Sequence, residues 1–124
     1  MPLSLKDYEW DDREIRGWLA LEKEVLTRKK ISRMIEKARK VAVSLKQKHG
    51  AEVYLFGSLV RGRVHGRSDI DLLVCGNFSE TEKKKIVLEV EGAVAPYPVD
   101  VVFADEVGER FKRMAIERGI KLTC

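Results

Sequence analysis

No apolar run in these 124 residues approaches the roughly 20 that a membrane-spanning helix needs. The start, Met1-Pro2-Leu3-Ser4-Leu5-Lys6-Asp7, lacks the long apolar stretch of a secretory signal, so a cytoplasmic protein without a membrane partner is expected. Cysteine is scarce. Cys75 and Cys124 stand far apart with no Cys-x-x-Cys, which argues against a disulfide framework and against a zinc site. They read as a small hydrophobe and a free terminal thiol. Internal repeats, low-complexity tracts and linkers are missing, and no sign of charge dominates: 24 Lys and Arg face 20 Asp and Glu. The resulting net charge of +4 is compatible with a polyanionic partner but decides little alone.

What is present fits one compact domain over residues 1–124, built on one core. Its charged fraction of 35% exceeds the roughly 25% of ordinary soluble domains, so a densely charged surface is expected. Residues 1–50 read as helical: Ile15, Trp18, Leu19, Val25 and Leu26 precede Ile31, Met34, Ile35, Ala38, Val41, Ala42 and Leu45 at offsets of three and four. Arg28, Lys29, Lys30, Arg33, Lys37, Arg39 and Lys40 occupy the other faces, first as a solvated surface, with nucleic-acid contact as the alternative. Gly50 is a plausible helix C-cap and His49 its neighbour rather than a ligand.

Residues 51–124 read as an α/β (α+β) core. Glu52 to Phe56, Ile70 to Val74 and Val99 to Phe103 are strand-like. Ser79 with Glu82 forms a capping box for a helix running to about Val94, which Ala95-Pro96-Tyr97-Pro98 ends. Asp105 is placed to cap a further helix through Phe111 and Met114 to Gly119, and Ile120 to Leu122 to add a short edge strand.

The chemistry concentrates between Phe56 and Val74. Side chains on a strand repeat with period two, so Asp69 and Asp71 project from one face while Ile70 and Leu72 project from the other. Asp69 ending a turn and Asp71 merely exposed is one reading. A carboxylate inside an apolar strand is costly without a partner, however, and that favours a metal or a basic group. Asp100 lies in the apolar run Pro98 to Phe103 and calls for the same compensation. Should its strand pair beside that of Asp69 and Asp71, three carboxylates converge and could hold two magnesium ions about 3.5–4 Å apart. Gly57 and Ser58 add a turn whose backbone and hydroxyl can approach phosphate oxygens. A Gly-Ser pair alone usually marks only a turn; joined to Asp-x-Asp at this spacing it is far more specific.

Gly57-Ser58, ten residues, Asp69-x-Asp71, and later Asp100 in an apolar strand: in this pattern the sequence resembles the nucleotidyltransferase superfamily, specifically its minimal nucleotidyltransferase (MNT) domains. Arg61-Gly62 and Ser68 match positions that accompany the motif, and the likeness is clearest from Glu52 to Phe103. The resemblance implies a nucleotidyltransferase fold: a small mixed sheet, helices packed mainly on one face, and here an N-terminal helical extension. It implies magnesium-dependent transfer of a nucleoside monophosphate, AMP from ATP, to a hydroxyl, with release of pyrophosphate. Asp69, Asp71 and Asp100 would ligate two ions, and Gly57, Ser58, Arg61 and Ser68 would bind the nucleotide. Arg63 and Arg67 could neutralise pyrophosphate or simply be solvated, and His65 reads as a loop residue.

MNT domains are similar to the antitoxins of two-gene modules whose toxin is a HEPN-domain ribonuclease, and active members transfer AMP to a toxin tyrosine. A HEPN-family partner is therefore the expected acceptor, with Tyr8, Trp10 and Trp18 either contacting it or capping the core. A transferase acting on a small-molecule hydroxyl, and a module that only sequesters a partner or nucleotide, are the alternatives.

Overall fold

The computed structural model describes the backbone of residues 12–61 and 70–124, and side chains over 28–61 and 70–124. Helix α1 (Asp12–His49) leads to strand β1 (Glu52–Phe56), β2 (Ile70–Cys75), helix α2 (Glu80–Val94) and β3 (Val99–Phe103). A single 3-10 turn (Ala104–Glu106), helix α3 (Glu109–Arg118) and strand β4 (Ile120–Lys121) complete the chain. The strands form one mixed sheet in the order β3-β2-β1-β4. β1 pairs antiparallel with β2 and with β4, and β2 pairs parallel with β3.

Period two sorts the strands onto two faces. Val53, Leu55, Ile70, Leu72 and Val74 join Met34, Ala38, Ala42 and Leu45 of α1 and Ile86, Val90 and Val94 of α2 in the main core. Burying each large aliphatic chain there contributes about 1.5–3 kcal/mol relative to exposure. The opposite face carries a smaller cluster of Phe56, Leu73, Ala104 and Ala115, against which Phe111 and Ile116 of α3 pack. Two helices, the longest included, thus cover one face and one short helix part of the other.

Local chemistry sets the ends. Gly50, at φ +69°, lets its amide return to the Lys46 carbonyl (2.9 Å) and closes α1 in the left-handed form that glycine allows. One half of the expected capping box opens α2: the Glu82 amide donates to Ser79 Oγ at 3.1 Å, while the Glu82 carboxylate is engaged with His49. His49 at the end of α1 faces Glu82 Oε2 through Nδ1 (3.0 Å) and Glu89 Oε2 through Nε2 (3.6 Å), tying α1 to α2. Glu52 joins α1, β1 and the C-terminal tail: Lys46 Nζ and Thr123 Oγ1 donate to it at 3.0 and 2.6 Å.

One expected cap differs. α3 begins after Gly108, whose carbonyl accepts the Lys112 amide at 3.0 Å, and not at Asp105. The Asp105 carboxylate instead meets Lys83 Nζ at 3.1 Å, so it serves an ion cluster with α2, and Val107 and Gly108 remain extended.

Candidate active site on the carboxylate face

Asp71 and Asp100 are direct partners in the parallel register of β2 and β3. Neighbouring strands lie about 4.8 Å apart, and paired residues share a face, so both carboxylates issue side by side from the face opposite α1 and α2. Flanking Ile70 and Leu72 are fully buried in the main core, which fixes this orientation: a one-residue slip would exchange them with the aspartates. Asp71 is half-buried. Asp100 is exposed, so the compensation expected from its place in an apolar run is not required by burial: β3 is an edge strand, and its second face is open at this residue.

The Gly-Ser turn reaches the same place. Phe56, the last residue of β1, is the cross-strand partner of Asp71. Gly57 then takes φ +83°, a conformation L side chains rarely adopt, and a Cβ built there would lie 3.0 Å from Asp71 Cγ and closer still to Oδ2. Gly57 is needed both for its backbone angle and for the room its missing side chain leaves to the carboxylate. Ser58 is half-buried and closes the turn through its carbonyl, which accepts the Arg61 amide at 3.1 Å; Arg61 is exposed.

The structure therefore brings together Gly57, Asp71 and Asp100, with Ser58 next in the turn. Ser68 and Asp69 lie outside the described residues, as do Arg63, His65 and Arg67; so do Tyr8, Trp10 and the Trp18 side chain. No group of three His, Cys, Asp or Glu that could hold a metal ion gathers among the described residues. The two adjacent carboxylates nevertheless offer hard oxygen donors of the kind magnesium prefers.

Sequence reasoning found the helix through Phe111 and Met114 but assigned none of its residues to the site, yet α3 shares this face. Phe111 stands edge-on to Phe56, with ring centroids 5.5 Å apart and planes at 89°, and so braces the strand end from which the Gly57 turn departs. The available signal was the Phe111 and Ala115 spacing, which marks a buried stripe but not which sheet face it covers.

Residues 35–122 match the family model of the nucleotidyltransferase domain, and the chain belongs to that family. Within it the chain is of the minimal type. A solved structure described as a minimal nucleotidyltransferase is 31% identical to it, with a TM-score of 0.57, covering 69% of this chain and 90% of that one. No curated protein matches the sequence. No helix among the described residues is long and apolar enough to cross a membrane.

Proposed function

We propose that residues 1–124 act as one magnesium-dependent nucleotidyltransferase domain that moves AMP from ATP to a hydroxyl, the acceptor being a tyrosine of a HEPN-family protein whose toxicity the transfer blocks. The observation that carries the transfer chemistry is the in-register opposition of Asp71 and Asp100, with Gly57 pressed against Asp71. The tyrosine acceptor, the HEPN partner and the choice of ATP are supported by the likeness to MNT domains.

Asp69, Asp71 and Asp100 would hold two magnesium ions, which when bound supply charge neutralisation at the phosphates and acidify the acceptor hydroxyl. The remaining work falls to the chain itself. The Gly57-Ser58 turn would seat the leaving phosphates by backbone approach and a hydroxyl hydrogen bond, while Arg61 and Ser68 add donors to their oxygens. In the transfer the acceptor oxygen bonds to the α-phosphorus, the bond to the β-bridging oxygen breaks, pyrophosphate leaves, and the hydroxyl proton passes to solvent. Catalysis of this kind is chiefly alignment and charge compensation. The exposure of Asp100 supports an acceptor as large as a macromolecule.

Incubation with each labelled nucleoside triphosphate, magnesium and the product of the neighbouring gene tests the reading. The expected result is an AMP-sized mass increase on a partner tyrosine that vanishes with Asp71→Asn. Label reaching no protein but a small alcohol would replace the acceptor; full inhibition of an unmodified partner by Asp71→Asn would replace transfer with sequestration.

A further inference from the structure

We infer that the α1 face opposite the carboxylate site is a sequence-independent contact for the phosphate backbone of nucleic acid. Between residues 28 and 40 the chain carries seven Lys and Arg against one carboxylate, Glu36. At 100° per residue, Lys29, Arg33, Lys37 and Lys40 fall on one line along α1, about one helical turn apart. Lys29, Arg33 and Lys40 are exposed.

Neutralisation on this line is slight. Lys40 meets Glu36 at 3.5 Å, but both side chains are more than two-thirds exposed, a setting in which ion pairs contribute little. Lys37 donates to the Ala95 carbonyl at 3.0 Å, a contact with the end of α2 that leaves its charge uncancelled. Lys29 and Arg33 have no acidic partner among the described residues. A groove of about 430 Å³ between α1 and α2 runs beside Arg33, Lys37 and Lys40. Its one acid from α2, Glu89, is already taken: Lys48 Nζ and Ser44 Oγ both donate to Oε1 at 2.8 Å.

Like charges one turn apart cost helix stability, about 0.2–0.5 kcal/mol per pair, so the line is a burden that a polyanion would relieve. Its composition favours phosphate over an acidic protein. Protein interfaces are anchored on aromatic residues and depleted in Lys, and there is no aromatic residue between 28 and 48. Phosphate contact requires cations alone, and without a stacking platform or base-reading polar groups it carries no sequence preference. The face lies across the sheet from Asp71 and Asp100, so this inference stands apart from the transfer reaction.

Fluorescence anisotropy of the full chain with a labelled mixed-sequence 20-mer, as duplex DNA and as single-stranded RNA, across a salt series is the test. Micromolar binding at low salt is expected, with log K against log salt falling at about −3.6 on duplex if four phosphates are met. The variant Lys29→Gln/Arg33→Gln/Lys40→Gln should lose at least tenfold and flatten the slope by about 0.9 per removed cation. The α2 variant Lys84→Gln/Lys85→Gln, equally exposed, should change less than twofold. Should the triple variant unfold by circular dichroism, the three single variants read the same slope change. Absence of binding, an equal loss in the α2 variant, or polyglutamate competing as well as DNA would each overturn the inference, the last in favour of an acidic protein.

Discussion

Asp71 and Asp100 face each other across the β2–β3 pairing as register partners, although 29 positions separate them in the chain. Two carboxylates on adjacent strands repel each other, and in the proposed function the ions they hold offset that repulsion. Asp100→Asn should therefore lower nucleotidyl transfer at least about a hundredfold at ordinary magnesium, by removing charge the reaction depends on. Its melting temperature should be unchanged or raised. Transfer at the wild-type rate would remove Asp100 from the site; a large loss of stability would make it structural.

Gly57→Ala combines two penalties. Holding an L residue near φ +83° costs about 1–3 kcal/mol, and the added methyl meets the Asp71 carboxylate. Denaturant titration should show destabilisation, with transfer lost because Asp71 must move. In an Asp71→Ala background the same substitution should cost less, since only the backbone penalty remains. Equal cost in both backgrounds would mean that the close approach has no energetic weight.

Ser58→Ala should weaken triphosphate binding by about 1.5–3 kcal/mol, the range for a hydrogen bond to a charged group. Titration calorimetry with a non-hydrolysable ATP analogue reads this directly. Unchanged affinity would leave Ser58 a turn residue whose carbonyl alone matters.

Much of this architecture is legible where the signal is local. The Val-, Leu- and Ile-rich runs mark β1, β2 and β3, and Ser79 with Glu82 marks the start of α2, because strand propensity and a capping hydrogen bond act within a few residues. Strand order is not local. Nothing near Asp100 says that β3 lies at the sheet edge, and hence that its carboxylate is exposed. The approach of Gly57 to Asp71 likewise depends on the β1–β2 register, although the motif spacing already named both residues. Asp105 was read as a cap because its neighbourhood permits one; a lysine 22 positions earlier claims it.

Glu52 supplies a pH signature. The Thr123 hydroxyl first, then the Lys46 ammonium with help from Lys121, hold its carboxyl down from 4.5 to about 2, against the opposing effect of burial. A folded value below the unfolded one means that this contribution is fully present above about pH 4.5. It is lost as pH falls toward about 2. Urea midpoints of wild type and Glu52→Gln should differ by a constant amount near neutrality and converge across that window. A gap that widens with acid would contradict the linkage.

Lys83 offers the sharpest test of how β3 is joined to α3. Its ammonium, with the side chain only 9% exposed, reaches Asp105 at 3.1 Å and Glu106 at 3.0 Å, and lies 5.3 Å from the centre of the Phe103 ring. Hydrogen bonds to Glu106 and Asp105 raise its pKa above 10.5, so this stabilisation is present below that pH and is lost as pH rises through the higher folded value. Lys83→Met retains most of the apolar stem but leaves clustered carboxylates without their cation, and should lower the melting temperature. Asp105→Ala should also destabilise the wild type, yet in the Lys83→Met background it should cost little or even stabilise, because it removes one of the repelling charges. A helix cap would behave otherwise: losing it costs about 1 kcal/mol whatever residue stands at 83. A strongly non-additive cycle identifies Asp105 as the ion partner that the structure shows, and an additive one would restore it as a cap.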